Sequence, residues 1–154
     1  MTRAFLSLGS NMGDSLSLLR EAVDSLDGVV AVSPLYRTDP VGGPEQDPFL
    51  NIVVEIDTDL TPHELLGVCH RLESAADRVR VVRWGPRTLD VDIVWMEGIT
   101  MTEPDLEIPH PRMRSRRFVM APLADLAPEV AGASWQEQAE GHVDRLGPLS
   151  ADPG

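Results

Sequence analysis

Two kinds of hydrophobic spacing alternate along this chain, and their order limits the folds it can adopt. Segments with β-branched or alternating apolar residues indicate strands, and segments with apolar residues three or four positions apart indicate helices. The predicted strands are 3–8, 29–36, 49–56 and 89–96, and the predicted helices begin after Asp14 and Thr61. The resulting order is β-α-β-β-α-β.

That order is typical of an α+β sandwich with ferredoxin-like topology, in which helices pack on one face of a mostly antiparallel sheet. The second helix has the clearest start, because Thr61-Pro62-His63-Glu64 combines a capping threonine, a first-turn proline and the glutamate of a capping box. A chain of 154 residues is enough for one domain with its own core. We expect that domain to span residues 1–140, followed by a C-terminal extension whose Gly, Pro and Asp content predicts a loosely ordered tail over 141–154.

The distribution of charge along the chain indicates which class of ligand the protein can bind. The chain has a formal net charge of −12, but residues 78–117 contain eight arginines and six acidic residues, so this segment alone is positive. Such a distribution disfavours general nucleic-acid binding, which needs a broad basic face, and favours a small polyanion in a local cleft. A solvated charge cluster is the alternative. There is no lysine, so any phosphate contacts must come from arginine, metal or backbone amides.

Location can also be predicted from composition. No apolar run approaches the roughly 18 residues of a membrane span, and the N-terminus does not resemble a secretory leader. The single cysteine, Cys69, cannot form an internal disulfide. We therefore expect a cytoplasmic protein without a membrane partner.

Asp90-Val91-Asp92 is the most informative short motif. Residues two apart in a strand point to the same face, so two carboxylates would lie side by side among apolar neighbours. Mg²⁺ is often held by one or two carboxylates together with substrate phosphates, and it would offset their repulsion. Two solvated acids, or acids paired with arginines, are the alternatives that the spacing leaves open.

The surrounding residues favour the magnesium interpretation. Arg78, Arg80, Arg83 and Arg87 precede the strand in a predicted loop, and guanidinium groups bind phosphate oxygens in a bidentate manner. His110 lies between two prolines and could donate to a phosphate, although a structural role is equally compatible with the sequence. Trp84 could belong to the core or could cover an aromatic ligand.

Several separated motifs then resemble one family. The segment Arg83-Trp84-Gly85-Pro86-Arg87-Thr88-Leu89-Asp90-Val91-Asp92 is similar to the signature of the 6-hydroxymethyl-7,8-dihydropterin pyrophosphokinases, enzymes of the folate pathway. Leu8 to Asp14, Tyr36 to Gly42, Phe49 to Asn51 and Pro109 to Leu123 resemble further motifs of that family in the same order. The resemblance covers about residues 3–130.

The resemblance implies transfer of pyrophosphate from ATP to the hydroxymethyl group of the dihydropterin, with AMP as the other product. We expect the chain to act as a monomer. Two Mg²⁺ ions would be bound by Asp90 and Asp92. The implied pterin site consists of Thr38, Val41, Phe49, Asn51 and Phe118. The implied ATP contacts are His70, Glu73, Arg78, Arg87, Ile93, His110 and Arg116. The implied catalytic residues are Arg78, Arg80, Trp84, Arg87, Asp90, Asp92 and His110, with Trp84 on a loop that closes over the ligands.

Three residues depart from the family pattern or add charge to it. Asp77 stands where glycine is common, Glu107 lies near the expected adenine pocket, and Arg117 adds a charge beside Phe118. Two other hypotheses remain at this stage. One is a non-catalytic module of the same fold that binds a small effector, and the other is a different Mg²⁺-nucleotide transferase on the same scaffold.

Overall fold

A mixed sheet-and-helix architecture is present in the computed structural model, which describes residues 1–11, 15–38, 49–79 and 89–149, except for the side chains of 77–79. Within these ranges the main sheet consists of β1 (Thr2–Ser10), β2 (Val29–Val32), β3 (Pro34–Thr38), β4 (Phe49–Thr58), β5 (Asp90–Met96) and β8 (Val143–Pro148). Their spatial order is β5-β1-β4-β3-β8, and β2 also pairs with β4. Every pairing in the sheet is antiparallel. The strands β6 (Met101–Glu103) and β7 (Leu106–Ile108) form a separate hairpin.

One face of the sheet is covered by the first two helices, α1 (Ser15–Ser25) and α2 (Pro62–Val79). Alternation in β1 directs Ala4, Leu6 and Leu8 into this layer, where all three are fully buried. The predicted capping box of α2 is confirmed, because the Glu64 backbone N–H donates to Thr61 Oγ1 (3.2 Å) and the Thr61 N–H donates to Glu64 Oε1 (2.8 Å). This layer is the larger of the two hydrophobic clusters.

The opposite face is covered by α3 (Arg117–Leu126), α4 (Pro128–Ala131) and α5 (Trp135–Gln138). Its core joins Phe5 and Val53 of the sheet to residues of α3 such as Met120 and Leu123. Helices therefore cover both faces, whereas the sequence predicted them on one. The helix α3 continues through Pro122. A proline removes only one backbone hydrogen bond, and the buried side chains on both sides of Pro122 hold the helix against the sheet.

The C-terminal segment differs from the tail expected over 141–154. Residues 143–148 form β8, which pairs with β3 at the edge of the sheet, and Leu149 is buried in the α1–α2 layer. The backbone groups of an edge strand can pair with a further strand whatever the side chains of that strand are. For this reason the Gly and Pro content of the segment did not predict β8. Residues 150–154 lie outside the described ranges, and a domain boundary at residue 140 stays a prediction.

Candidate active site

Asp90 and Asp92 lie on the same face of β5. Val91 and Ile93 are buried in the α1–α2 layer, so the acids between them alternate to the other face. Across the ladder, Asp90 is paired with Gly9 and Asp92 with Ser7. Both acids line one cavity of about 290 Å³. The geometry on which the predicted metal site depends is therefore present.

The same cavity, called here the acceptor cavity, collects side chains from distant parts of the sequence. Its lining consists of Ser7, Gly9, Thr38, Phe49, Asn51, Asp90, Asp92, Arg116 and Phe118. Four of the five predicted pterin contacts are among them. The fifth, Val41, lies outside the described residues. Phe49 and Phe118 are only partly buried, so these two rings border the cavity and do not fill the core.

Asn51 is fixed at the base of the acceptor cavity. Its side-chain amide donates to Thr38 Oγ1 (3.0 Å), and the residue is only 4% exposed. Gly9 is its cross-strand partner on β1, and a Cβ atom at Gly9 would lie 2.7 Å from Asn51 Oδ1. The absence of a side chain at Gly9 therefore leaves the space that the amide of Asn51 occupies.

Arg116 and Phe118 close the cavity from the start of α3. The Arg116 guanidinium carbon is 5.6 Å from the centre of the Phe118 ring, a cation–π contact that orients both side chains. Arg117, between them, points elsewhere, since its guanidinium donates to the carbonyls of Gln136 (2.9 Å) and Ala139 (2.6 Å). The sequence suggested that the Arg117 charge lies beside the pterin face. In the structure this guanidinium instead holds the α5 segment.

His110 lies in a second part of the site, next to Asp92. Its backbone N–H donates to Val94 O (2.8 Å), and its Nδ1 accepts the Arg112 backbone N–H (3.1 Å). Partial burial lowers the pKa of His110, the Asp92 carboxylate opposes that shift, and Arg116 and Arg112 reinforce it. In the neutral ring the proton is then assigned to Nε2, because Nδ1 is an acceptor. His110 can therefore offer one N–H to an anion.

A second cavity, called here the hairpin cavity, has a volume of about 240 Å³ and lies beside the β6–β7 hairpin. It is lined by Leu66, Asp92, Ile93, Glu103, Pro104, Asp105, Leu106, Glu107, His110 and Pro111. Asp92 lines both cavities. A small cleft lined in part by Ser7, Asp92, His110 and Arg116 lies between them. Asp92 therefore stands where two ligands in the two cavities would meet.

Other predicted residues are placed differently. His70 is exposed on α2, and it lines neither of the two cavities. Glu73 accepts the backbone N–H of Val91 (2.9 Å), which braces β5 between the two acids. The side chain of Arg78 and all of Arg80, Trp84 and Arg87 lie outside the described residues.

Among the described residues, one further group of donors lies close enough together to hold an ion. His63 Nε2 is 3.3 Å from Glu103 Oε1 and 3.4 Å from Asp105 Oδ1, and all three residues are exposed. They join the start of α2 to the turn of the β6–β7 hairpin. Glu103 and Asp105 line the hairpin cavity, but their group includes an imidazole, whereas Asp90 and Asp92 offer only carboxylate oxygens, the ligands of a hard cation, and line the acceptor cavity.

Sequence reasoning missed two residues of the acceptor cavity as contributors to its surface. The sequence assigned no role in this cavity to Gly9 or to Ser7. The sequence did show that Ser7 is a polar residue in an otherwise apolar strand. That observation has several explanations until the register of β1 is known.

Comparison with known proteins agrees with these motifs. A sequence model of the 7,8-dihydro-6-hydroxymethylpterin-pyrophosphokinase (HPPK) family matches residues 5–128. The 2-amino-4-hydroxy-6-hydroxymethyldihydropteridine pyrophosphokinase of Methylorubrum extorquens is 47% identical over 153 residues, covering 96% of this chain and 97% of that protein. The enzyme of the same name from Bacillus subtilis is 46% identical over 132 residues, covering 82% of this chain and 79% of that protein.

Solved structures support the fold. The Plasmodium falciparum HPPK-DHPS crystal structure matches 83% of this chain with a TM-score of 0.63 at 16% sequence identity. This chain spans only 38% of that longer protein. Among the described residues, no helix is both long enough and apolar enough to cross a membrane.

Proposed function

Because the chain belongs to the 7,8-dihydro-6-hydroxymethylpterin-pyrophosphokinase family, it is a pyrophosphokinase of folate biosynthesis, and we propose that its active site is formed by the acceptor cavity and the hairpin cavity, which meet at Asp92. The reaction transfers pyrophosphate from ATP to the hydroxymethyl group of 6-hydroxymethyl-7,8-dihydropterin and releases AMP. The observation that carries the placement is that Asp92 lines both cavities.

The acceptor cavity has the chemistry of a pterin site. Phe49 and Phe118 offer ring faces for a flat heterocycle, and the amide of Asn51 can both donate to and accept from the pyrimidinone edge of the pterin. Thr38 holds that amide through its hydroxyl. Val41 is proposed to add a backbone contact, on the basis of the family resemblance alone.

Magnesium fits the residues present. Asp90 and Asp92 supply two hard oxygen ligands on one strand face, open to the cavity where substrate oxygens would complete the coordination. When bound, Mg²⁺ neutralises triphosphate charge and lowers the pKa of a coordinated hydroxyl. We propose two ions, by resemblance to the family.

The nucleotide is proposed to lie along the hairpin cavity, with its phosphates directed towards Asp92. His110 would donate from Nε2 to a phosphate oxygen, Arg116 would contact a phosphate from α3, and Ile93 would contact the nucleoside. His70 and Glu73 are proposed to lie near the nucleotide, and Glu73 also braces β5. Arg78, Arg80, Arg87 and Trp84 are proposed to contact phosphates or cover the ligands, and these roles depend on the resemblance.

The chemistry requires positioning more than covalent help. The hydroxymethyl oxygen attacks the β-phosphorus, the bond from that phosphorus to the oxygen bridging the α-phosphate breaks, AMP leaves with that oxygen, and the hydroxyl proton passes to solvent. The residues contribute by holding the oxygen and the phosphorus in line and by neutralising charge, as in other phosphoryl transfers.

Three broader features belong to the same proposal. The strand order β5-β1-β4-β3, all antiparallel with β1 and β4 in the centre, supports a ferredoxin-like core to which β8 and α3 to α5 are added. A monomer is also proposed. A cytoplasmic location is proposed because the donor is ATP.

The products distinguish this function from its alternatives. Incubation with ATP, Mg²⁺ and the hydroxymethyl dihydropterin should release AMP, which chromatography separates from ADP. Release of ADP would indicate γ-phosphoryl transfer instead. The absence of turnover, with pterin binding retained, would indicate a binding module.

Asp92→Ala tests the site assignment. This variant should reduce the rate of AMP release at least about a hundredfold, because a charge-stabilising ligand is lost from the transition state, while pterin binding remains measurable by calorimetry. Asp24→Ala, which removes an exposed acid of α1, is the matched control and should retain full activity. Near-normal turnover in Asp92→Ala would exclude Asp92 as a metal ligand.

A further inference from the structure

Ser7 is a polar residue in the floor of the acceptor cavity that the mechanism above does not use. It lies on β1 between Val53 of β4 and Asp92 of β5 in the ladder. It is 7% exposed, and its side chain belongs to the face that carries both acids. Residues directly opposite in adjacent strands have Cβ atoms about 5 Å apart, which places the Ser7 hydroxyl beside the Asp92 carboxylate.

The hydroxyl of Ser7 has no hydrogen-bond partner among the described residues. The other buried serines of the described chain differ in this respect. Ser33 Oγ, for example, donates to Pro34 O (2.9 Å) and accepts the Val53 N–H (2.9 Å), and Ser15 Oγ bonds Ser10 Oγ (3.0 Å). The Ser7 oxygen is not among the fully enclosed polar atoms without a partner, which in the described chain are Asn11 Oδ1 and Arg117 Nε, so it is open to the cavity and a ligand there can reach it.

The position of Ser7 indicates which part of a ligand it would meet. Of the residues that the structure describes, three line both the acceptor cavity and the small cleft that leads to His110, and they are Ser7, Asp92 and Arg116. Two of these are charged and suit a cation and a phosphate. The third is a neutral hydroxyl, which suits a neutral alcohol.

We propose that the Ser7 hydroxyl binds the hydroxymethyl group of the acceptor substrate, accepting the hydrogen bond of its O–H. One lone pair of the alcohol oxygen would then remain directed towards the phosphorus, because the O–H is held towards the floor of the cavity. This inference rests on the proposed function, since it needs the pterin in the acceptor cavity. It makes Ser7 a residue that distinguishes the alcohol from analogues without it.

A double-mutant cycle, in which one change is made in the protein and the other in the ligand, tests the contact. The dissociation constants of 6-hydroxymethylpterin and of 6-methylpterin, which lacks the oxygen, are measured by calorimetry for the wild-type chain and for Ser7→Ala. Loss of one neutral hydrogen bond should weaken hydroxymethylpterin binding about three- to tenfold in Ser7→Ala. Binding of 6-methylpterin should change by less than twofold.

A matched pair of variants separates the hydroxyl from the shape of the side chain. Ser7→Thr and Ser7→Val have nearly the same volume and both suit a strand, but only threonine keeps the hydroxyl. Threonine should retain the preference for hydroxymethylpterin over 6-methylpterin, and valine should lose it. Thermal unfolding of each variant verifies that it is folded before its affinities are compared.

The outcomes separate the inference from the function on which it rests. If Ser7→Ala weakens both pterins equally, or neither, the contact with the alcohol is excluded. If Ser7→Val prefers hydroxymethylpterin over 6-methylpterin as strongly as Ser7→Thr does, the hydroxyl is excluded as the origin of that preference. AMP release by the wild-type chain tests the proposed function independently, so an active enzyme with no coupling in the cycle would refute only the role of Ser7.

Discussion

Gly9 and Asn51 show how one missing side chain can shape a binding site. A Cβ atom on Gly9 would lie 2.7 Å from Asn51 Oδ1, which is too close for the amide to stay in its present position. Gly9 is within a regular strand, with no positive φ, so the requirement for glycine here is steric and does not concern backbone conformation. The amide would otherwise have to leave Thr38.

Gly9→Ala should therefore impair pterin binding. Overpacking costs about 1–3 kcal/mol, so the pterin dissociation constant should rise at least about fivefold in a calorimetric titration. Gly67→Ala in α2 is the matched control. Its nearest contact would be Arg71 Nη1 at 3.7 Å, and alanine in a helix should raise the free energy of unfolding by about 0.5–1 kcal/mol without changing pterin affinity. Unchanged pterin binding in Gly9→Ala would contradict the steric role.

His110 allows a test of the local electrostatics. Its pKa is lowered by burial, against the opposing effect of Asp92, so the ring should titrate below 6.5 in an NMR experiment on the ligand-free chain. Asp92→Asn should lower the midpoint further, because it removes the carboxylate that favours the charged ring. The unfolded state then binds more protons than the folded state near pH 6, so the His110 contribution decreases stability as the pH falls. A midpoint above 6.5 would show that Asp92 dominates over burial.

At the scale of secondary structure, β5 is held from outside the sheet as well as by β1. Glu73 of α2 accepts the Val91 N–H, and the His110 N–H donates to Val94 O. These two hydrogen bonds lie on either side of Asp92 in the sequence. The strand that carries the acids is thereby fixed to the helix on one side of the site and to the segment with His110 on the other.

The start of α2 provides a prediction for a whole element. Thr61→Ala removes the hydroxyl that accepts the Glu64 N–H and should lower the free energy of unfolding by about 1 kcal/mol, the usual effect of losing such a cap. Urea unfolding measures it. Thr100→Ala, at an exposed position outside helices and strands, should change stability by less than about 0.5 kcal/mol. Equal effects of the two variants would show that the capping box contributes nothing.

At the scale of the molecule, Tyr36 connects the sheet to α3 and β8. Its hydroxyl donates to Asp125 of α3, and Asp125 also lies 3.7 Å from Arg145 Nε of β8. Burial, and then the hydrogen bond to Asp125, raise the pKa of Tyr36 well above its usual value of 10. This contact links three elements that are distant in the sequence.

Tyr36 is the only tyrosine of the chain, so its ionisation can be followed directly by phenolate absorbance. No phenolate should appear near pH 10 while the chain is folded, and it should appear when the chain unfolds. Above pH 10 the unfolded state has lost the proton that the folded state keeps, so stability must fall as the pH rises. Tyr36→Phe should lack this alkaline decrease in urea unfolding. A phenolate titration near pH 10 in the folded chain would contradict the buried environment.

Local patterns in the sequence determined much of this protein. The period of two placed Asp90 and Asp92 on one face of a strand, and the capping box placed the start of α2, because these features depend on residues a few positions apart. The motifs with Phe49, Asn51 and Phe118 indicated a pterin site through family resemblance. The predicted loop roles of Arg80, Trp84 and Arg87 stay predictions.

Only the tertiary structure decided which residues meet. The register of β1 between β4 and β5 brings Ser7 and Gly9 beneath the site, and α3 covers a face that the sequence pattern left open. The strand β8 forms at an edge whose backbone groups accept a partner irrespective of side-chain pattern. These contacts join residues far apart in the chain, and their formation depends on strand register and shape, which spacing along the sequence does not encode.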